Sequence, residues 1–220
     1  MRITILLISL TFLLYSCTKG TDEPVFTEAN YKVEITGKWK SPEFTVPGGV
    51  HFTIFAGMVH NQNAFLWQEG KLASVGVENI AETGSTTRLL AEIDSMIAKK
   101  NASSVFYITA PGPASTTSGN IYCNSSYSYL SFESMIAPSP DWFVGISGFN
   151  LMKNGQWITD TTINLYVYDA GTEDGDVFGY ANPATAPQQN IGLLTAGNAM
   201  VLANGNTSLG SIASVRLIKQ

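Results

Sequence analysis

The segment YSYLSFESMIAPSPDWFVGISGFNLM, residues 127–152, carries the most informative pattern in the chain. It contains two extended apolar runs, 127–136 and 142–152, separated by a short loop with two prolines. The prolines stiffen this loop, because each ring fixes one backbone torsion angle. The pattern predicts two neighbouring β-strands, with Asp141 held in a fixed place just before the second.

Apolar segments on both sides of this pair also have the features of strands. Residues 30–39 alternate between apolar and polar side chains, which is the period of a half-buried strand. The other predicted strands are 51–60, 105–109, 121–123, 162–168, 191–194 and 212–218. Two helical segments, 70–80 and 86–99, form one short insertion between the second and third strands. We therefore expect a mainly β protein, an antiparallel β-sandwich with a short helical insertion, formed by one domain over residues 30–220.

The composition excludes several classes of protein. With 45% hydrophobic and 13% charged residues, the chain is apolar enough to form a packed core. Its formal net charge of −5 argues against a nucleic-acid partner, which requires a basic protein surface. Two cysteines and two histidines are too few for a disulfide framework or a histidine-rich metal centre.

The N-terminus has the features of an export signal. The twelve-residue apolar run 3–14 is shorter than the roughly 20 residues of a membrane-spanning helix. The residues before Cys17, Leu-Tyr-Ser, resemble the lipobox of bacterial lipoproteins. This resemblance implies that residues 1–16 are a signal peptide, that Cys17 is lipidated, and that 17–29 tether the domain. We expect a lipid-anchored membrane protein of the cell envelope that faces the periplasm or the cell exterior; the alternative is an ordinary secreted protein.

Acidic side chains are concentrated in two predicted loops. Asp141 lies in the first, and the second, YDAGTEDGD at 168–176, contains four carboxylates, among them Asp169, Glu173 and Asp174. Crowded carboxylates repel one another, and a divalent cation removes that cost. Loops at one end of a sandwich lie close together, so both loops would supply oxygen ligands to one calcium ion. The spacing is not that of an EF-hand, and a solvated acidic turn is the alternative.

Two other kinds of site are compatible with the residues present. His51 and His60 with Glu82 would supply zinc ligands, although their nine-residue spacing places the two histidines on opposite faces of a strand. Paired carboxylates in the acidic loop would also suit a surface hydrolase that acts on polysaccharide or lipid. The G-x-S-x-G motif of serine hydrolases does not occur in the sequence. A hydrolase is therefore the alternative to a calcium-binding module without enzymatic activity.

Several segments, in order along the chain, resemble the spondin N-terminal domain family (F-spondin/mindin-like). The two most specific strings are S-M-I-x-P-S-P-D-W at 134–142 and Y-D-A-G-T at 168–172. Shorter matches occur at 31–39, 51–61, 67–70, 73–77, 81–84, 144–145 and 182–187. The resemblance implies a β-sandwich similar to the calcium- and lipid-binding domains of the synaptotagmin type. It also implies a secreted, non-enzymatic protein that is engaged in adhesion.

Members of this family hold calcium with acidic residues in the same two loops. When the positions of the family's ligands are carried over to this sequence, the resemblance implies that Asp141 and Asp169 are metal ligands. Either Glu173 or Asp174 is the third, because the usual D-A-G-T-D-S-G string reads D-A-G-T-E-D-G here. Ala137 stands where animal members often have Asp, which removes one carboxylate. The expected protein is an extracytoplasmic calcium-binding adhesion or recognition module, anchored by lipid, whose partner is an unknown extracellular protein or glycan.

Overall fold

The structure, a computed structural model, describes residues 26–220. The predicted signal peptide, the lipidated Cys17 and most of the predicted tether lie outside these described residues. No helix within residues 26–220 is long and apolar enough to cross a membrane. The first strand begins at Glu28, two residues before the predicted start of the domain.

The elements follow the predicted order, with strands on both sides of a helical insertion, but two predicted strands are each divided. Segments 51–60 and 162–168 each form two strands, and the two strands of the second segment belong to different sheets. The first three strands are β1 (Glu28–Gly37), β2 (His51–Phe52) and β3 (Phe55–His60). The two main helices follow, α1 (Val75–Thr83) and α2 (Thr87–Ala98). The remaining elements are β4 (Ala102–Ile108), β5 (Thr116–Asn124), β6 (Tyr129–Ala137), β7 (Trp142–Asn150), β8 (Met152–Lys153), β9 (Gln156–Trp157), β10 (Asp160–Leu165), β11 (Val167–Asp169), β12 (Gly192–Leu193), the single-turn helix α3 (Met200–Ala203) and β13 (Ala213–Lys219).

Within the described part of the chain, the strands form two antiparallel sheets and one small hairpin. The first sheet has four strands in the order β10-β13-β1-β5. The second has seven strands: six follow the order β12-β11-β7-β6-β3-β4, and β2 also pairs with β6. The hairpin β8–β9 turns at Asn154 and Gly155, whose positive φ angles suit an Asn-Gly turn.

The main core lies between the two sheets. Tyr31, Val33 and Ile35 of β1 are fully buried, whereas the residues that alternate with them are more exposed. They share one hydrophobic cluster with Phe132 and Trp142 of the second sheet. The period-two prediction for β1 is therefore confirmed, and so are the mainly β class and the antiparallel sandwich.

The helices cover the outer face of the seven-stranded sheet and create a second core. Helix α1 begins after Ser74, whose hydroxyl oxygen accepts a hydrogen bond from the Val77 N–H at 3.3 Å. It therefore starts later than the predicted segment 70–80. Leu89 and Ile93 of α2 are fully buried in this second core. The layers are thus a sheet, a second sheet and a pair of helices.

The centre of the seven-stranded sheet is packed closely around Phe132. Gly57 on β3 and Gly145 on β7 flank it, and a Cβ atom on either glycine would collide with the backbone of β6. A short loop joins β6 to β7, and Trp142 at the start of β7 is fully buried. This closely packed strand pair holds the loop between them at one end of the sandwich.

Candidate metal centre

Asp141 connects the two acidic loops. It is fully buried, and its Oδ2 atom accepts three hydrogen bonds from the second loop. The donors are the Thr172 N–H at 2.7 Å, the Thr172 hydroxyl at 3.2 Å and the Glu173 N–H at 3.1 Å. The main-chain oxygen of Asp141 also accepts a bond from the Ala170 N–H at 3.1 Å. The two loops that were predicted to meet are therefore in direct contact.

Asp169 lies beside Asp141 at the same end of the sandwich. It ends β11, and antiparallel pairing places it opposite Trp142, the residue after Asp141. Its Oδ1 atom accepts a hydrogen bond from the Gly171 N–H at 2.8 Å. Burial and the negative charge of Asp141 raise the pKa of Asp169 from 3.8 to about 6. The structure thus brings together the two carboxylates on which the predicted site depends.

One buried oxygen of this carboxylate pair has no hydrogen-bond partner in the described part of the chain. Asp141 Oδ1 is buried and accepts no hydrogen bond within the described residues, although Oδ2 accepts three. A buried carboxylate oxygen without a donor costs free energy unless a cation contacts it. The side chains of Asp141 and Asp169 therefore fit a hard cation such as calcium, which prefers carboxylate and carbonyl oxygens.

The carboxylates of the other two predicted ligands have partners of their own. Glu173 is half-buried, and its Oε2 atom accepts a hydrogen bond from Asn182 Nδ2 at 3.2 Å. Asp174 is exposed, and its Oδ1 atom accepts a bond from the Thr185 hydroxyl at 2.6 Å. Within the described residues, no three His, Cys, Asp or Glu side chains lie close enough together to hold one metal ion. In this arrangement a cation would contact two carboxylates and take its remaining ligands from carbonyls and water.

Glu82, in the last turn of α1, also influences this site. Burial raises its pKa, and the negative charges of Glu173 and Asp141 raise it further. The sequence suggested Glu82 only as a zinc ligand beside the histidines, because no local pattern connects this helix with the two loops. The structure therefore places a further carboxyl group, that of Glu82, close enough to interact electrostatically with Asp141 and Glu173.

The two histidines have other roles. His60 is fully buried; its Nδ1 atom contacts a main-chain carbonyl at 2.7 Å, and its Nε2 atom contacts the Ser131 hydroxyl at 2.8 Å. Burial lowers its pKa. His51 is exposed, and its Nδ1 atom contacts another main-chain carbonyl at 2.7 Å. Within the described residues these histidines and Glu82 do not form a group that could hold one metal ion.

Comparison with known proteins assigns the family. The family model for the spondin N-terminal domain, described as Spondin_N, matches residues 29–203. The chain belongs to this family. The resemblance carried by the strings at 134–142 and 168–172 is thereby confirmed.

Individual relatives match over most of the chain. Spondin-2 of Rattus norvegicus is 32% identical over 205 residues, which cover 87% of this chain and 62% of that protein. Spondin-2 of Homo sapiens is 31% identical over 87% of this chain and 61% of the relative. Spondin-1 of Gallus gallus is 30% identical over 82% of this chain and 24% of the relative. The chain thus spans less than two thirds of spondin-2 and about a quarter of spondin-1.

Proposed function

We propose that this chain is an extracytoplasmic recognition domain that binds one calcium ion and is held at a membrane by lipid on Cys17. The observation that carries the calcium proposal is the buried Oδ1 atom of Asp141, which has no hydrogen-bond partner within the described residues and lies beside Asp169. Membership in the spondin N-terminal domain family supports the recognition role, because the resemblance implies an extracellular adhesion module.

Calcium would be mainly structural in this domain. Asp141 and Asp169 would contact the ion, and Glu173 or Asp174 would supply a third carboxylate after a change of side-chain rotamer. The positive charge would offset the repulsion that raises the pKa of Asp169. The two loops would then be rigid at the end of the sandwich that meets a partner, which reduces the entropy lost on binding.

Millimolar calcium should raise the melting temperature of the purified protein. A ligand bound only by the folded state stabilises it by about 2.7 kcal/mol at a hundred times its Kd. For a domain of this size that gain corresponds to about 5–10 °C. Differential scanning calorimetry in calcium, magnesium and EDTA measures the shift. Magnesium should have a smaller effect, because it is smaller, demands near-ideal octahedral geometry and loses its water reluctantly.

Variants identify the ligands in the same experiment. The double variant Asp141→Asn, Asp169→Asn should lose the calcium-dependent shift. Asp176→Asn removes an exposed acid from the same loop and should retain the shift. Glu173→Gln and Asp174→Asn are compared in the same way. The variant that reduces the calcium-dependent shift in melting temperature identifies the third carboxylate ligand. An unchanged melting temperature of the unmodified protein at millimolar calcium contradicts the calcium proposal.

The hydrolase alternative has less support. Asp141 is fully buried and its Oδ2 atom is bound to three donors, so this carboxylate is poorly placed to exchange a proton with a substrate. The catalytic carboxylates of glycosidases flank a cleft that admits the sugar chain. A groove of about 570 Å³ in the described part of the chain is lined by neither Asp141 nor Asp169.

Lipid anchoring is tested by the variant Cys17→Ser, expressed in a Gram-negative bacterium. The unmodified protein should fractionate with membranes and incorporate labelled palmitate, because acyl chains on Cys17 would supply the membrane affinity. Cys17→Ser should appear in the soluble fraction without label. Cys123→Ala is the matched control, since Cys123 is fully buried within the domain. Membrane association that survives Cys17→Ser argues against the anchor.

A further inference from the structure

A groove of about 570 Å³ lies between the loop after β3, the second half of β7 and the β10–β11 region. Its aromatic lining consists of Phe65, Trp67, Phe149, Tyr166 and Tyr168. Asp141 precedes β7, whereas residues 147–150 of the groove end this strand, roughly 20–30 Å further along at about 3.3 Å per residue. This end of the groove is therefore remote from the candidate metal centre, whereas the other end, lined by Gly145 and Tyr168, adjoins it, because Tyr168 directly precedes Asp169.

The aromatic side chains form a tightly packed floor and two exposed rings. The ring centroids of Trp67 and Tyr168 are 4.8 Å apart, and those of Trp67 and Phe143 are 5.1 Å apart. In contrast, Phe65 is 43% exposed and Tyr166 is 41% exposed. Exposed rings in a groove are available for a ligand to cover, and the packed rings beneath them keep the surface in place.

Gly148 supports the Phe65 ring. Its φ angle is +66°, and a Cβ atom there would lie 3.1 Å from Cε1 of Phe65, so the ring rests directly above the glycine. The Gly148 N–H donates a hydrogen bond to the Ser131 hydroxyl at 2.8 Å. That hydroxyl also contacts Nε2 of the buried His60 at 2.8 Å. The strand beneath the ring is thus held by a buried hydrogen-bond network.

Amide side chains line the same groove. Asn150 and Asn164 lie beside the rings, and the exposed Gln68 adds a third amide. The Oδ1 atoms of Asn150 and Asn164 each accept a hydrogen bond at 3.0 Å from within the protein, which leaves their amide nitrogens as donors to a ligand. Among the described residues that line the groove, Glu69 is the one charged side chain, and the Lys38 ammonium group stands at its edge as the donor to Asn164 Oδ1. The surface therefore suits a ligand that has apolar faces and hydroxyl groups but no negative charge.

We propose that this groove binds a neutral oligosaccharide. A pyranose ring has a face of C–H groups, which stacks on Phe65 or Tyr166, and hydroxyl groups, which accept hydrogen bonds from the amides. Glu69 and Lys38 supply one charge of each sign at the groove, and the net charge of −5 disfavours phosphorylated or sulfated ligands. The groove volume lies within the range of about 300–1,000 Å³ that is usual for small-molecule sites. The inference rests on the recognition role proposed above and names its ligand class, and it does not require calcium.

Binding is tested on the purified full chain by isothermal titration calorimetry and tryptophan fluorescence. The probes are cellohexaose, maltohexaose, xylohexaose and N-acetylchitohexaose, with a heparin hexasaccharide as the anionic comparison. We expect at least one neutral hexasaccharide to bind at millimolar concentration or below. Phe65→Ala and Tyr166→Ala should each weaken that binding about tenfold or more. Tyr122→Ala is the matched control, because this tyrosine is 46% exposed on the four-stranded sheet.

The inference is overturned if none of the four neutral hexasaccharides binds, or if heparin binds more tightly than all of them. It is also overturned if Phe65→Ala and Tyr166→Ala, with unchanged melting temperatures, bind as tightly as the unmodified protein. Titrations in EDTA separate this proposal from the calcium proposal. Sugar binding without a calcium-dependent melting shift contradicts the metal centre alone, whereas a melting shift without sugar binding contradicts the groove alone.

Discussion

Replacing Asp141 with alanine should lower the free energy of unfolding by about 3 kcal/mol or more, even in calcium-free buffer. Its Oδ2 atom is the acceptor for three donors of Thr172 and Glu173, at 2.7, 3.2 and 3.1 Å. Alanine leaves these donors without an acceptor in a buried position, and each such group costs about 1–3 kcal/mol. Removal of a negative charge beside Asp169 offsets a smaller part of this loss.

The variant Asp141→Asn separates the hydrogen-bonding role from the metal role. Asparagine retains one side-chain oxygen for the donors of the second loop but presents no negative charge to a cation. We therefore expect a loss of about 1 kcal/mol or less in EDTA, together with the loss of stabilisation by calcium. Urea unfolding in EDTA and in millimolar calcium, followed by tryptophan fluorescence, measures both effects.

Asp176→Ala is the matched control for both variants, because Asp176 is an exposed acid in the same loop. It should unfold like the unmodified protein in either buffer. A calcium response that Asp141→Asn retains would exclude Asp141 as an essential ligand. If Asp141→Ala is as stable as the unmodified protein in EDTA, the hydrogen bonds between the loops contribute nothing to folding.

Replacing Glu133 with methionine should raise the free energy of unfolding by about 2 kcal/mol at neutral pH. Phe132 faces the core between the sheets, so Glu133, the next residue along β6, faces the helices. Both carboxylate oxygens are buried and have no hydrogen-bond partner within the described residues. Burial, with a contribution from the negative charge of Glu92 on α2, raises the pKa of Glu133 well above 4.5. Methionine has a similar length and avoids the cost of a buried polar group without hydrogen-bond partners, which is about 1–3 kcal/mol.

The same carboxyl group makes stability depend on pH. Its pKa is higher in the folded state than in the unfolded state, so the folded state keeps the proton after the unfolded state has released it. Its contribution to stability is therefore greatest at or below pH 4.5 and decreases as the pH rises above that value. The pKa values of Asp169 and Glu82 are shifted in the same direction. The difference in the free energy of unfolding between the unmodified protein and Glu133→Gln, measured at each pH, isolates the contribution of Glu133.

Chemical unfolding between pH 4.5 and neutral pH tests this expectation. The unmodified protein should lose more stability over this interval than Glu133→Gln and Glu133→Met. Glu43→Met serves as the control, because Glu43 is exposed and its replacement leaves the core unchanged. A Glu133→Met variant that is less stable than the unmodified protein at neutral pH would contradict this expectation.

Local patterns in the sequence were sufficient to locate most strands. Burial of Tyr31, Val33 and Ile35 follows from a two-residue period, which any strand with one face in a core shows. The two apolar runs around the prolines located the loop of Asp141. The predicted helix start at residue 70 was wrong, because the start depends on one capping hydrogen bond at Ser74, and apolar periodicity does not reveal it.

The details of the candidate sites depend on residues that are distant in the chain. Glu82 approaches the acidic loops because α1 covers the second sheet, and the sequence shows no link between them. Glu133 looks like one polar residue in a strand, and its burial results from the helices above it. The aromatic groove likewise combines side chains from three separate segments.

Periodicity and turn residues are properties of neighbouring positions, and they were enough to predict the β-sandwich and the loops that carry Asp141 and Asp169. The family was recognised from the strings at 134–142 and 168–172. Two details could not be inferred in this way: the Asp141 oxygen that lacks a partner among residues 26–220, and the hydrogen bond between Asp174 and Thr185. Distances between side-chain atoms follow from strand pairing and layer packing across the whole chain, and no short stretch of residues encodes them.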